Sequence, residues 1–157
     1  MDRYEVRIGG FGVQGIVTMA VVMGETASLH DDKYVVQTQS YGPEARGGAS
    51  KSEVVMGDEE IDYPKVQNPD VFIAMSRAAF LSYIGGLKEN GILIIDQDLV
   101  NIEGEIPKGV RVYKIPATRI ADEKVGNKLA TNVVMLGAFT AITGALSVEG
   151  LKRQIED

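Results

Sequence analysis

Apolar residues along this chain follow two spacings, and stretches with the two spacings alternate. Short, nearly continuous runs of apolar and β-branched residues predict strands that are covered on both faces of a sheet. These runs occupy residues 4–8, 34–38, 52–56, 71–75, 92–95 and 110–115. Apolar residues three or four positions apart predict helices instead, at residues 16–29, 78–87, 132–142 and 147–155.

The alternation of strands and helices predicts an α/β fold with three layers. A mostly parallel sheet would carry helices on both faces, with a Rossmann-like glycine turn after the first strand. The 157 residues predict a single domain, since domains commonly contain about 100–200 residues. Asn90-Gly91 is expected to end the second helix, because both residues tolerate left-handed backbone conformations. The last helical pattern still runs at LKRQIED, as it would in a chain truncated at the C-terminus.

The composition argues against several classes of function. Hydrophobic residues make up 45% and charged residues 24% of the chain, as in ordinary globular proteins. The formal net charge of -6, without a run of Lys or Arg, argues against nucleic-acid binding. The first residues, MDRYEVRIGG, lack a signal-peptide pattern. The longest apolar stretches are too short or too interrupted for a membrane span of about 20 residues. We therefore expect a cytoplasmic protein that does not enter a membrane.

The chain contains no cysteine and one histidine. Without cysteine it cannot form a disulfide, use a thiolate nucleophile or ligate an iron–sulfur cluster through sulfur. One histidine leaves almost no material for a Ser-His-Asp arrangement or a multi-histidine metal site. We therefore predict no catalytic residue and no metal site of these kinds in this chain. His30 is interpreted as a polar residue at the end of a helix.

A glycine-rich loop, Gly10-Phe-Gly12-Val-Gln14-Gly15, lies between the first predicted strand and helix. Such a loop can present the free N–H groups of a helix start to an anion. A dinucleotide site also needs an acidic residue at the end of the second strand, where this chain has Gln37-Thr38-Gln39. Three interpretations stay open: NAD(P) binding, contact with another anion or cofactor, and a structural turn. The carboxamide of Gln14 could donate and accept hydrogen bonds toward a ligand.

The segment QSYGPEARGGAS, residues 39–50, contains more functional side chains and glycines than a turn requires. Pro43 restricts the backbone, and Arg46 offers a planar set of donors for a phosphate or carboxylate. Gly47 and Gly48 allow another backbone or a ligand to approach closely. Glu44 could orient Arg46 or meet a basic residue of a partner. The alternatives are a surface ion pair, contact with a partner subunit, and contact with a coenzyme or substrate.

Three segments together resemble the gamma subunit of the 2-oxoacid:ferredoxin oxidoreductases, which is an internal domain in single-chain pyruvate:ferredoxin oxidoreductases. The segments are GGFGVQG, VVQTQSYGPEARGGASKSEV and GNKLATNVVMLGAF, in the family's order and spacing from Ile8 to about Leu151. QSYGPEARGGAS is the most specific of them. The family usually has a second glycine where Val13 stands here. Together with EIDYPKV, the central segment is most similar to the 2-oxoglutarate branch; pyruvate and branched-chain 2-oxoacids stay open.

The resemblance implies a multi-subunit enzyme that converts a 2-oxoacid, coenzyme A (CoA) and oxidised ferredoxin into acyl-CoA, carbon dioxide and reduced ferredoxin. Alpha and beta subunits would bind thiamine diphosphate and magnesium, and a ferredoxin-like subunit would carry iron–sulfur clusters. This chain would be a non-redox gamma subunit, not catalytic alone, that shapes the active site and helps to bind CoA. The predicted CoA contacts are Gly10, Gly12, Gln14, Gly15, Arg46, Gly47 and Gly48, and the predicted partner contacts are Tyr41, Pro43, Glu44, Arg46 and Asn132.

Asn132 lies in an apolar helical pattern, where a buried amide must find hydrogen-bond partners. Packing of that helix in the core is one interpretation, and a role near the glycine loop or at a partner is the other. Two rivals to the whole assignment remain: a self-contained NAD(P)-dependent oxidoreductase and an assembly module without a ligand. An isolated chain could also self-associate through the surface that its partners would cover.

Overall fold

A computed structural model describes residues 2–11, 14–40, 48–102, 104–125 and 130–156. The strands are β1 (Tyr4–Gly10), β2 (Tyr34–Ser40), β3 (Ser50–Gly57), β4 (Val71–Ala74), β5 (Ile92–Asp96) and β6 (Arg111–Ile115). The helices are α1 (Ile16–Glu25), α2 (Arg77–Tyr83), α3 (Ala117–Ile120), α4 (Thr131–Thr143) and α5 (Val148–Glu156). A π-helical turn extends α1 over Thr26–His30, and another extends α3 over Ala121–Val125.

The six strands form one sheet in the order β2-β3-β1-β4-β5-β6. β1, β4, β5 and β6 are parallel neighbours, whereas β3 runs antiparallel to both β1 and β2. The sheet is therefore mixed, with a mostly parallel half and one reversed strand. The reversed strand brings the start of β3 to the edge of the sheet where β1 ends, since Gly10 pairs with Ser50.

Alternate side chains of the central strands enter two separate cores, as the period of two in a strand requires. Ile8 and Ile73 point into the larger core, which α1, α4 and α5 cover. Phe72 and Leu93 point into the smaller core, where they pack with Phe80 of α2. Helices thus lie on both faces of the sheet, and the predicted three-layer α/β architecture is confirmed.

The second helix is shorter than the sequence predicts. It ends at Tyr83 rather than continuing to Leu87, because Gly85-Gly86 interrupts it and Gly86 has a φ of 87°. A side chain at Gly86 would approach the Gln67 carbonyl oxygen to 2.8 Å. Asn90 does adopt the left-handed conformation, with φ 63°, but in the turn before β5 and not at the end of the helix.

His30 lies in the last turn of the π-helical extension of α1, as expected for a polar residue at a helix end. One ring nitrogen lies 3.1 Å from Oε1 of Gln154 in α5. The neighbouring Asp31 accepts a hydrogen bond from the backbone N–H of Ser147 at 2.8 Å, and the Ser147 hydroxyl caps the start of α5 at Gly150. These contacts fix the final helix to the end of α1.

Tyr4 begins β1 and packs half-buried against the larger core. Burial of the phenol, together with the negative charge of Asp70, raises its pKa to about 12, although Arg111 and a hydrogen bond with Thr143 act in the opposite direction. Deprotonation of Tyr4 is therefore less favourable in the folded chain than in the unfolded chain, whose tyrosines ionise near pH 10.

This difference predicts a loss of stability at alkaline pH. Above about pH 10 the unfolded state releases the Tyr4 proton while the folded state keeps it, so the free energy of unfolding falls as pH rises toward 12. Tyr4→Phe should remove this part of the slope. Urea denaturation between pH 9 and 11 measures it, and parallel slopes for the parent and the variant would contradict the expectation.

Candidate functional site

The strand ends that flank the glycine loop and the segment 41–47 lie at the same edge of the sheet. β1 ends at Gly10, β4 ends at Ala74 beside Gly9, and β3 starts at Ser50 opposite Gly10. The order in which strands are added to the sheet changes direction at β1, which has β3 on one side and β4 on the other. In open α/β sheets a ligand crevice forms outside the carboxyl ends of strands at such a reversal.

The pairing register places these strand ends side by side. Ala74, the last residue of β4, is the partner of Gly9, and Ile73 is the partner of Ile8. β2 ends at Ser40, whose partner is Lys51 of β3. The segment between β2 and β3 therefore leaves and rejoins the sheet beside the glycine loop. Tyr41, Pro43, Glu44, Arg46 and Gly47 lie outside the described residues, as does Gly12, so their predicted contacts stay predictions.

Gln14 spans the gap between the ends of β1 and β4. Its Oε1 accepts a hydrogen bond from the backbone N–H of Phe11 at 2.8 Å, and its Nε2 donates to the Met75 carbonyl oxygen at 2.8 Å. Both functional groups of the carboxamide are thus engaged within the chain. In a Rossmann fold a dinucleotide pyrophosphate lies at this crevice, and in this chain Gln14 lies between the ends of the two strands there.

Gly10 is required at the end of β1 by close packing. A Cβ atom there would lie 2.6 Å from Oε1 of Gln14 and 2.9 Å from Cβ of Met75. Its φ is not in the left-handed region, so the constraint is the space that Gln14 and Met75 take. Gly10 and Gln14, both predicted as CoA contacts, therefore form part of one packed unit with the end of β4.

Gly15 and Asn132 bring the starts of two helices together. Gly15 precedes α1 with φ 74°, and a Cβ atom on it would lie 3.0 Å from Nδ2 of Asn132, in the first turn of α4. Asn132 is half-buried and its Oδ1 accepts a hydrogen bond from the N–H of Val133 at 2.9 Å. α4 packs in the larger core through Met135, Leu136 and Phe139, while Asn132 lies in its first turn beside Gly15. A role of Asn132 at the glycine loop or at a partner stays a prediction.

The start of α1 offers hydrogen-bond donors at this edge. Among the described residues, the N-cap position Gly15 provides no side-chain hydrogen bond to this helix start. The first N–H groups of a helix carry about half a positive charge and attract anions. The predicted anion contact of the loop is therefore compatible with the arrangement of Gly15 and the two helices.

Gly48 and Ala49 follow the segment 41–47 at the same edge. Gly48 is exposed, has φ 77° and has open space around the position of a Cβ atom. Glycine is favoured there by the backbone conformation, since other residues are strained at positive φ. Ala49 is buried, and its carbonyl oxygen accepts a hydrogen bond from the Tyr83 hydroxyl at 3.3 Å.

A buried ion pair that was not predicted from the sequence joins β1 and β3 below their ends at this edge. Arg7 of β1 and Glu53 of β3 are direct partners in the sheet, and Arg7 Nε lies 2.8 Å from Glu53 Oε2. Their side chains are only 7% and 9% exposed, so this is a buried ion pair. The sequence did contain a signal for this pair, because Arg7 and Glu53 are oppositely charged residues that each lie inside a predicted apolar strand.

Asp96 is a fully buried carboxylate at the end of β5. Its Oδ1 accepts from the N–H of Asp98 at 3.0 Å, and its Oδ2 accepts from the N–H and hydroxyl of Thr118 at 3.1 and 2.6 Å. The carboxylate thus holds the start of α3 to the sheet. These contacts account for its burial without a catalytic role.

Other features lie apart from this edge. A cavity of about 370 Å³, lined by Asp2, Arg3 and residues 57–63, lies at the opposite edge of the sheet and shares no residue with the predicted site. Within the described ranges, no group of three or more His, Asp or Glu side chains is arranged to hold a metal ion. No helix in the part of the chain that the structure covers combines the length and apolarity of a membrane span.

Comparison with known proteins assigns the class. The family model described as pyruvate ferredoxin/flavodoxin oxidoreductase matches residues 5–157. The gamma subunit of a keto/oxoacid ferredoxin oxidoreductase from Geobacter sulfurreducens has the same fold, with a TM-score of 0.84 and 39% identity over 97% of this chain and 84% of that one. The chain therefore belongs to the pyruvate ferredoxin/flavodoxin oxidoreductase family.

Curated relatives indicate which branch of this family the chain is similar to. The chain is 52% identical to 2-oxoglutarate synthase subunit KorC of Methanothermobacter marburgensis, over 99% of this chain and 86% of the relative. It is 49% identical to KorC of Methanocaldococcus jannaschii, over 99% and 83% of the two chains. Within its family the chain is a gamma-type subunit of a 2-oxoacid:ferredoxin oxidoreductase, as the resemblance predicted. Nothing in these comparisons supports a self-contained NAD(P)-dependent enzyme.

Proposed function

We propose that this chain is the gamma subunit of an enzyme that oxidises 2-oxoglutarate with CoA and ferredoxin. The choice of 2-oxoglutarate as the substrate rests on a comparison of sequence identities. The chain is 52% identical to the 2-oxoglutarate synthase subunit of M. marburgensis, but 32% identical to the pyruvate synthase subunit PorC of the same organism. The complex would form acyl-CoA, carbon dioxide and reduced ferredoxin.

The proposed partners supply the redox chemistry. Alpha and beta subunits would hold thiamine diphosphate and magnesium, which stabilise the carbanion formed from the 2-oxoacid. A ferredoxin-like subunit would hold iron–sulfur clusters, which are ligated by cysteine thiolates. The sequence of this chain contains no cysteine, and this supports a division of labour in which the gamma subunit shapes the site and binds CoA.

The edge formed by the glycine loop and the start of β3 is the proposed CoA site. Uncapped N–H groups at the start of α1 would meet a phosphate of CoA. Asn132 lies beside Gly15 and could donate to the same anion. Gly48 leaves open space at the rejoining strand, and Arg46, two residues before it, would supply a planar set of donors. Gln14 would support this site, because its amide is engaged by Phe11 and Met75.

Arg46→Ala tests the proposed CoA contact in a complex reconstituted from all its subunits. The parent complex should turn over 2-oxoglutarate in preference to pyruvate. A charge-assisted hydrogen bond contributes about 1.5–3 kcal/mol, so Arg46→Ala should raise the KM for CoA at least about tenfold. Steady-state reduction of ferredoxin measures both quantities, and Arg46→Lys should recover only part of the loss because it lacks the planar fork.

Arg153→Ala is the matched control. Arg153 is exposed on α5, whose start is held by Asp31 at the far end of α1 from Gly15, so its removal should leave the KM for CoA unchanged. Loss of co-elution of Arg46→Ala with the other subunits would show that this segment binds a partner instead of CoA. An unchanged KM together with intact assembly would contradict both roles, and preference for pyruvate would contradict the proposed substrate.

A further inference from the structure

Tyr83 connects a buried ion pair to the strand that carries the proposed CoA site. It is the last residue of α2, and its ring packs beside the smaller core. Its backbone and its side chain are engaged by different elements, β1 on one side and the start of β3 on the other. Neither contact belongs to the glycine loop already described.

The backbone of Tyr83 is held by Arg7. The Arg7 guanidinium donates through Nη1 to the carbonyl oxygens of Tyr83 at 3.1 Å and Gly85 at 2.9 Å. Its Nε donates to Glu53 at 2.8 Å. Cations at a helix C-terminus pair favourably with the free carbonyl groups there. The end of α2 is therefore fixed to the middle of the β1–β3 pair.

The side chain of Tyr83 reaches the start of β3. Its hydroxyl donates to the Ala49 carbonyl oxygen at 3.3 Å, and Nζ of Lys51 lies 5.6 Å from the centre of its ring. Lys51 Nζ also lies 3.6 Å from Oε1 of Glu53. Glu53, Arg7, Tyr83 and Ala49 thus form a continuous chain of polar contacts that ends one residue from Gly48.

We propose that Tyr83 is a positioning residue, which sets the place of Gly48 and Ala49 before β3. This inference rests on the proposed function, in which this part of the chain meets CoA. A rigid support is useful here because an ordered site loses less entropy when its ligand binds. Among the described residues, nothing lies within 4 Å of the position of a Cβ atom on Gly48, which has φ 77°. The hydrogen bond at Ala49 is a side-chain contact on the adjacent residue.

Tyr83→Phe tests the inference because it removes the hydroxyl and keeps the ring, its packing and its contact with Lys51. The net effect of one neutral hydrogen bond corresponds to about threefold to tenfold in an equilibrium. Backbone amides of residues 48–50 in the full chain should exchange with deuterium faster by about that factor. In the reconstituted complex the KM for CoA should rise by a similar factor while kcat changes little.

Tyr113→Phe is the control, since Tyr113 of β6 packs half-buried against the other core. In this variant the amide exchange of residues 48–50 and the KM for CoA should match those of the parent. Unchanged exchange at residues 48–50 in Tyr83→Phe would overturn the positioning role. Faster exchange with an unchanged KM for CoA would support that role and contradict the proposed CoA site at this edge. An equal fall of kcat/KM for every substrate, with unchanged exchange, would indicate a general structural effect and also overturn the proposal.

Discussion

Replacing Arg7 with Met is expected to lower the free energy of unfolding by about 3–5 kcal/mol, as removal of one partner from a buried ion pair does. The guanidinium is 7% exposed and lies 2.8 Å from the Glu53 carboxylate, which is 9% exposed. Without Arg7, that carboxylate keeps its cost of burial and loses its nearest cation. The carbonyl groups of Tyr83 and Gly85 also lose their donor.

Chemical denaturation of the full chain, with a double-mutant cycle, measures this effect. Arg7→Met combined with Glu53→Leu should recover much of the lost stability, because two apolar side chains of similar volume can replace a buried pair. Arg119→Met removes an ion pair with Asp98 whose side chains are 50% and 36% exposed, and it should destabilise the chain much less. Equal losses for Arg7→Met and Arg119→Met would show that burial of the pair has no energetic consequence.

The sheet was largely predictable from its apolar runs. Residues 71–75 and 92–95 predict central strands because both faces of those strands are covered, and β4 and β5 are there. The reversed direction of β3 was not predicted. The connection between Ser40 and Ser50 is shorter than the dozen or more residues that a parallel crossover needs. Its length could therefore have predicted that β3 runs antiparallel to β2.

The error in α2 has a local cause. Leu87 continues the helical spacing set by Phe80 and is 3% exposed, so the pattern of burial is helical while the backbone is not. Gly86 adopts a left-handed conformation that ends the helix earlier. The spacing of apolar residues indicates which side chains are buried, but it does not determine the backbone conformation between them.

The site was predictable only in part. The glycine pattern indicated Gly10 and Gly15 as turn residues, but not that Gln14 would use its amide to bridge Phe11 and Met75. The pairing of Arg7 with Glu53 depends on the register between β1 and β3, and the contact of Tyr83 with Ala49 depends on where α2 packs. Such contacts join residues far apart in sequence, so no local pattern predicts them.

The full chain without its partners is expected to give no turnover of 2-oxoglutarate, even with CoA, thiamine diphosphate, magnesium and oxidised ferredoxin added. In the proposed complex, electrons from the 2-oxoacid would pass through iron–sulfur clusters, whose ligands are usually cysteine thiolates, and the sequence of this chain has no cysteine. The edge described here offers helix N–H groups and amides, which bind anions and transfer no electrons. The predicted loss is therefore complete rather than partial.

Anaerobic assay of ferredoxin reduction measures this, with the complex purified from native cells as the reference. The remaining subunits without this chain should retain their bound cofactors but react poorly with CoA, and adding the chain back should restore acyl-CoA formation. The chain with Arg153→Ala, altered far from the glycine loop, should restore it as well as the parent does. Turnover by the chain alone would contradict the division of labour, and full CoA-dependent activity of the remaining subunits would contradict a role for this chain in the CoA site.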